Sequence, residues 1–446
     1  MAEDNNPQRP VRKLTVDDFS VIKHAELDFG KITVLIGPQA SGKSLLCKLA
    51  YFFQKVFVEL AEDSIREGLS FENFRVRVAS EFTFNWFPVF GFESAAKIAY
   101  SDGKFAVSLS RNASSSIPDR PGIIKHALAT VSDEVSSAYE MTLLQLKRES
   151  SSSGNVDSSR YSREIGQKLQ SLQSPDAAIY SYIPSTRSFF ISPQKAVIAT
   201  SQRLDPITIR FSQDFALDFQ KRIPQAGLKA ELTSWIDKKS LEALQGEVAI
   251  VENGEAFETK PEFFKSNDGR LIPISFLSSG TQELLPLFTL LREYVGLSAA
   301  ISKTLDLTRA LHKRLIFIEE PETNIFPSTQ NELVRILARL SYEPALDVSW
   351  VITTHSPYIL TAFNNLIEAA QVAAAKPELK SEVAKLIPEH YWIKPADFKA
   401  YAIEDGVLKS IVAEDTGLVS ANYLDQVSET IGAEFDELLR LGYVES

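Results

Sequence analysis

The apolar positions along this chain change their spacing several times, and each change marks a structural element. From Lys13 to Phe29 the apolar residues Leu14, Val16, Phe19, Val21, Ile22, Ala25, Leu27 and Phe29 are placed as in two short strands joined by a turn. The run Ile32-Thr-Val-Leu-Ile36 is mostly apolar and rich in β-branched residues, which predicts a buried strand. Leu45 to Val58 then continues as an apolar-rich helix. Between Phe82 and Leu109, aromatic and β-branched residues recur around the turn Ser101-Asp-Gly103, predicting antiparallel strands beside the segment Ile32 to Ser44. Helical spacing follows from Ile123 to Leu172, broken by Glu149-Ser-Ser-Ser-Ser-Gly-Asn-Val-Asp-Ser-Ser159, a stretch polar enough to predict a mobile loop.

Tyr180 to Phe190 reads as a strand containing Pro184-Ser-Thr-Arg187, and the region up to Lys265 mixes helical and hairpin patterns. Clear signals return at Phe276 to Tyr294, Arg314 to Pro327 and Val348 to Pro357. Trp392 to Leu408 predicts strands, and Leu424 to Leu441 an acidic helix. No period of about 20–50 residues marks a solenoid.

Composition narrows the class. At 446 residues, with 44% apolar and 24% charged residues, the chain is an ordinary folded protein, either one large domain with an insertion or two domains. A net charge of -11 argues against the uniformly basic surface of sequence-independent DNA binders, although a local basic patch stays open. The single cysteine, Cys47, excludes an intramolecular disulfide and points to a reducing compartment; one turn beyond the glycine-rich loop, it reads as a small core residue. No run of about 18 apolar residues appears. The polar start Met1 to Pro10 lacks a secretory apolar core, so we expect a cytoplasmic protein with no membrane contact.

Four short motifs carry chemistry. Gly37, Pro38, Gln39, Ala40, Ser41, Gly42, Lys43 and Ser44, followed by Leu45, have the spacing of a phosphate-binding loop between strand and helix. The glycines let backbone N–H groups face phosphate oxygens, the helix start adds its positive dipole end, Lys43 reaches the terminal phosphates, and Ser44 offers a hydroxyl to Mg²⁺. Leu315-Ile-Phe-Ile318 places Glu319 and Glu320 at a strand tip. Adjacent carboxylates there diverge, so Glu319 is assigned to the metal shell through water and Glu320 to polarising an attacking water.

The strand ending Thr353-Thr-His355 follows after room for one helix, Gln330 to Leu340, which brings His355 to the edge that holds Glu320. A neutral imidazole there can donate to a γ-phosphate. His24, His126, His312 and His390 have no comparable setting. The fourth motif, Leu277-Ser278-Ser279-Gly280, opens a helix and on its own reads as an N-cap, with free N–H groups able to meet an anion.

In this order, the four motifs resemble ABC-class ATPases of the SMC, RecF and OLD assemblage. That resemblance implies an α/β fold: a P-loop ABC-type ATPase head with a mixed sheet, an antiparallel β subdomain and a helical insertion. It implies ATP and Mg²⁺ as ligands, hydrolysis to ADP and phosphate, and a homo-oligomer in which Ser278, Ser279 and Gly280 of one copy close over the ATP of another. Ser279 stands where a transporter signature has glycine, and Glu319 where most relatives have aspartate, although Glu-Glu-Pro-Glu is usual in the OLD-like branch. Tyr182-Ile-Pro184-Ser-Thr-Arg187 is similar to a segment of these ATPases and leaves Arg187 either facing phosphate or in a surface ion pair. Gln54 lies too close to the loop to be the switch glutamine.

The expected division is 1–112 for the first half of the ATPase lobe, 113–269 for a mainly helical insertion, 270–370 for the second half and 371–446 for a C-terminal α/β extension. No Asp-x-Asp pair of a Toprim nuclease follows His355, no zinc cluster is present, and 113–269 lacks sustained heptads. The whole resembles ATPase subunits of antiphage systems such as PARIS and Septu. This implies a sensor or scaffold that controls a separate effector, a nuclease or toxin, with DNA or a phage protein as trigger. The alternatives are a RecF-like repair ATPase that clamps DNA and a transporter ATPase, the latter disfavoured by the signature and the Glu-Glu-Pro-Glu strand end.

Overall fold

Runs that are apolar at every position need cover on both faces, and they form the centre of the sheet. The computed structural model describes residues 12–83, 96–111, 127–153, 157–172, 179–185, 187, 231–250, 262–301, 314–343, 346 and 348–420. The chain opens with a hairpin, β1 (Lys13–Phe19) and β2 (Ile22–Asp28), and enters β3 (Ile32–Ile36). Helix α1 (Lys43–Tyr51) passes through one π turn, Phe52–Val56, into α2 (Phe57–Arg66), and α3 (Phe71–Glu81) follows. Strands β4 (Lys97–Asp102), β5 (Phe105–Arg111) and β6 (Ala127–Val131) precede a helical pair, α4 (Asp133–Ser153) and α5 (Ser158–Leu172).

After β7 (Ile179–Ile183) come α6 (Glu231–Leu244) and a small antiparallel sheet of β8 (Gly246–Ile250), β9 (Glu262–Ser266) and β10 (Leu271–Pro273). Helix α7 (Ser279–Ile301) leads to a β-α-β-α run of β11 (Arg314–Glu319), α8 (Pro327–Ser341), β12 (Val348–Thr354) and α9 (Pro357–Ala375). A short α10 (Lys380–Leu386) and the hairpin β13 (Phe398–Glu404) and β14 (Val407–Ser410) complete the described chain.

Among the described residues the main sheet has 11 strands in the order β6-β5-β4-β1-β2-β14-β13-β3-β12-β11-β7. The five strands from β13 to β7 are mutually parallel, whereas β1, β2, β4, β5 and β6 pair antiparallel. Alternation splits each central strand between two cores. Leu35, Leu315, Phe317 and Val351 face the side covered by α1 to α5, and Val34, Ile316, Ile318 and Ile352 face the side covered by α6 to α9. Each such side chain contributes about 1.5–3 kcal/mol when fully buried. Trp350, wholly buried, donates its indole N–H to Leu337 O at 3.1 Å and Ser341 Oγ at 2.9 Å, so its one polar atom is paired.

Strand register decides which residues share an edge. Ile36 lies opposite Thr354, Thr353 opposite Glu319, and Ile318 opposite Ile183. The C-terminal ends of β3, β12, β11 and β7 therefore reach one edge, the side of a parallel sheet on which ligands bind.

Several expectations change. The serine-rich stretch is not a loop through Ser153, because α4 continues to that residue. Ser150 and Ser151 donate to the carbonyls of Leu146 and Lys147 at 2.7 and 2.8 Å, so hydroxyls that made the stretch look unpackable are satisfied by the helix itself. The segment 113–269 is not simply an insertion, since β6 and β7 both join the main sheet. Nor is 371–446 an appendage: β13, buried from Ala400 to Ile403, lies against β3 and pairs Ala400 with Val34. Strands β4 and β5 do not neighbour β3, for β1, β2, β14 and β13 intervene. The acidic helix expected over Leu424 to Leu441, residues Gly154 to Val156, His126 and His312 lie outside the described residues.

Candidate functional site

The loop after β3 is shaped by two glycines. Gly42, at φ 105, heads α1, and a Cβ there would overlap Ile22 Cδ1 and lie 3.1 Å from Val21 Cγ2. A Cβ at Gly37 would come within 2.9 Å of Ile403 O, so β13 presses on the loop from the side. Ala40 adopts φ 58, and Pro38, Gln39 and Ala40 are exposed at the crest. No side chain caps the first turn of α1, and Ser41 Oγ is buried without a hydrogen-bond partner among the described residues. A bare helix start, a backbone cradle and an unpaired buried hydroxyl fit a bound phosphate chain.

Lys43 is 4% exposed, and its ammonium donates to Gly37 O and Pro38 O, both at 2.8 Å. Burial lowers its pKa, opposed by the charges of Glu320 and Glu322. Ser44 is half-buried on the first turn of α1, with Leu45 packed into the core behind it.

At the tip of β11 the two glutamates diverge, as their adjacency predicts. Glu319 is buried, with Oε1 accepting from Tyr182 Oη at 2.6 Å and Oε2 from the Ser185 N–H at 3.1 Å. A carboxylate offers about four lone-pair directions, so capacity remains for a water of a metal shell. Glu320 leaves the strand at φ 43, its N–H donating to Thr353 O at 2.9 Å. Its side chain is one-third exposed, and Oε1 lies 3.4 Å from His355 Nε2. Glu322 Oε1 accepts the His355 N–H at 2.6 Å, which fixes the turn after β12, while its Oε2 is buried with no hydrogen-bond partner among the described residues.

The sequence profile of the family described as "AAA domain, putative AbiEii toxin, Type IV TA system" matches residues 32–361, from the first residue of β3 into α9. The chain belongs to this AAA family. Among solved structures it is similar to the SMC head domain from Thermotoga maritima, at 11% identity and TM-score 0.36, covering 91% of this chain and 99% of that one. It is also similar to a Smc head domain with an extended coiled coil bound to the C-terminal domain of ScpA from Pyrococcus furiosus, at 12% identity and TM-score 0.38, with 95% and 100% covered. A third is an ATP-binding cassette of an ABC transporter in its ADP conformation, at 10% identity and TM-score 0.32, with 93% and 95% covered. No curated protein matches the chain.

In this AAA-family chain the fourth motif lies at the head of α7. Ser278 and Ser279 are exposed; Ser278 Oγ accepts the Thr281 N–H at 3.3 Å and bonds Thr281 Oγ1 at 2.8 Å, so the N-cap expected of an isolated motif is present. A Cβ at Gly280 would stand 2.7 Å from Asn324 O, placing the start of α7 directly on the turn after the glutamates.

Arg187 satisfies neither expectation made for it. It is fully buried and donates to the carbonyls of Glu283 (3.1 Å), Pro184 (3.4 Å), Glu319 (2.8 Å) and Glu320 (3.1 Å), with Glu283 Oε2 at 3.4 Å from its Nε. Five fixed donors on one plane suit converging carbonyls better than one surface carboxylate does. Burial lowers its pKa, countered first by Glu283. Gln54 is buried and donates to Tyr100 Oη at 2.8 Å, consistent with its exclusion as a switch residue. His24 bonds Asp17 at 2.7 Å across the β1–β2 hairpin.

Sequence reasoning passed over Tyr182, Glu283 and Glu322. Tyr182 stood in the same short segment as Arg187, and Glu322 in the same acidic turn as Glu320. The pairing of β7 with β11 brings Tyr182 to Glu319, that of β11 with β12 brings Glu322 to the His355 N–H, and Glu283 reaches Arg187 from α7.

Proposed function

We propose that the chain binds and hydrolyses ATP with Mg²⁺, and that turnover in a homo-oligomer controls a separate effector. The carrying observation is the common edge. The registers of Ile36 with Thr354 and Glu319 with Thr353 bring the loop, both glutamates and His355 to the same ends of three parallel strands. Lys43 and the uncapped N–H groups of α1 hold the terminal phosphates. Ser44 and Glu319 are the residues that would hold Mg²⁺, which would supply charge neutralisation at the phosphates. Glu320, open to solvent and beside His355, polarises the attacking water, and His355 donates to the γ-phosphate.

Association of copies is supported by exposure. Ser278 and Ser279 lie open at the surface, with exposed Phe276 two residues before Ser278 and exposed Phe326 two residues after Asn324, against which Gly280 rests. In this reading Ser278, Ser279 and Gly280 meet the nucleotide of a neighbouring copy, and the nucleotide lobe comprises 12–112 and 270–370 together with β13 and β14. Toxin and toxin–antitoxin in the family's description support an effector of toxin type; a nuclease effector, antiphage defence and a trigger of DNA or a phage protein are further parts of the proposal. No helix among the described residues is long and apolar enough to cross a membrane.

Steady-state ATP turnover with and without duplex DNA tests this. Lys43→Ala should abolish nucleotide binding. Glu320→Gln should retain binding, lose about 10²–10⁴-fold in turnover and accumulate the closed assembly. Wild-type turnover in the Gln variant would refute the assignment of the base. Strong stimulation and salt-sensitive binding by duplex DNA would move the reading to a RecF-like clamp.

A further inference from the structure

Arg187 sits where three parts of the site meet, and none of the motifs above uses it. It follows β7, the outermost strand of the parallel set, and reaches α7 on one side and the tip of β11 on the other. A guanidinium with no exposed surface needs partners within the protein, and here four carbonyls accept from it: Glu283 O on α7, Pro184 O after β7, and Glu319 O and Glu320 O at the tip of β11. Glu283 O belongs to the second turn of α7. Glu319 O and Glu320 O flank the peptide from which the Glu320 side chain departs. None of these can shift relative to the others without stripping a buried cation of a partner.

The Glu320 peptide is itself held in an uncommon state. At φ 43 a glutamate occupies a sparsely populated backbone region that persists only when its surroundings enforce it. The enforcement is visible: Glu320 N–H goes to Thr353 O, and Glu320 O accepts from Thr323 Oγ1 at 2.9 Å and from Arg187 Nη2 at 3.1 Å. Glu320 O also accepts the Thr323 N–H at 3.1 Å, so loss of Arg187 removes one of three donors and loosens the peptide that aims the carboxylate at His355. A second contact runs parallel to the first, because Gly280 rests against Asn324 O at the end of the same turn.

We infer that Arg187 is a positioning residue that links the head of α7 to Glu320, so that a nucleotide of a neighbouring copy engaging Ser278 to Gly280 sets the water-polarising carboxylate in this copy. The inference rests on the ATP-sandwich reading above and adds communication between its composite sites. Glu283 anchors the arginine with both its carbonyl and its carboxylate, and Glu283 Oε2 has no hydrogen bond of good geometry. Loss of its charge therefore weakens the link without removing backbone acceptors.

The test is deuterium exchange on the full chain with and without MgATP, in the wild type, Arg187→Lys and Glu283→Gln, alongside kcat and ATP affinity. In the wild type, MgATP should protect residues 278–285 and 316–324 together. In the variants 278–285 should still gain protection while 316–324 does not, and kcat should fall at least tenfold with ATP affinity within twofold. Joint protection in both variants would overturn the inference, as would a wild type in which only one segment responds. A fall in kcat matched by equal losses of affinity and thermal midpoint would show a merely structural arginine and also overturn it. If Arg187→Lys does not fold, Glu283→Gln decides alone. A wild type that binds MgATP without turnover would sink hydrolysis as the function, and the exchange pattern would still read the link.

Discussion

Gly42→Ala separates two costs that the phosphate loop imposes on the residue at the head of α1. The backbone at φ 105 is strained for any L side chain, about 1–3 kcal/mol for a residue held in such a region. The new methyl would also overlap Ile22 Cδ1, and Ile22 is 1% exposed inside the core, so it cannot swing away freely. Overpacking of that kind costs about 1–3 kcal/mol. Together the substitution should destabilise by about 2–6 kcal/mol, against a total of about 5–15 kcal/mol for a typical domain. A double-mutant cycle with Ile22→Val distinguishes the terms, since valine lacks the clashing Cδ1. Ile22→Val alone should cost about 0.5–1.5 kcal/mol, yet in the alanine background it should recover the overlap term, a coupling of about 1–3 kcal/mol. Denaturant unfolding of the four proteins reads this directly. If the two effects add within about 0.5 kcal/mol, the hairpin turn does not press on Gly42.

Three further outcomes are expected at the site. Ser278→Arg should leave nucleotide binding intact and abolish ATP-dependent association in sedimentation, because a bulky cation at the exposed head of α7 blocks closure; undiminished association refutes the contact in trans. Tyr182→Phe removes the 2.6 Å hydrogen bond to buried Glu319 and should cost about 1.5–3 kcal/mol in unfolding, with a loss under about 0.5 kcal/mol counting against it. Burial pushes the Cys47 thiol well up, and the thiolate is the reactive form, so a maleimide should label the denatured chain and spare the native one.

What was legible in the sequence was local. Ile32–Ile36, Arg314–Glu319 and Val348–Thr354 announce themselves because strands covered on both faces need apolar residues at every position, and the polar chemistry begins where each run stops. The loop, the glutamates and His355 fall at those stops. Partner choice was not legible. Ala400 to Ile403 reads as a strand, but nothing in those residues says that β3 is the neighbour. Arg187 misled for a related reason: buried arginines are rare, so the ordinary expectation is exposure, and only the convergence of four carbonyls makes burial tolerable. The serine tract misled because composition was weighed without the helical back-bonds that serine can make.

The position of β13 has a consequence for synthesis. Strand β3 is flanked by β13 and β12, both contributed by the last quarter of the sequence, so the nucleotide loop emerges from the ribosome on a ribbon with neither lateral neighbour yet made. At roughly 5–20 residues per second, tens of seconds separate translation of Val34 from that of Ala400. During that interval the unpaired edges of this largely apolar strand are available to any other extended chain. Damage to the β13 hairpin should therefore reduce yield and nucleotide binding together, although its residues lie far along the chain from the lysine loop they support.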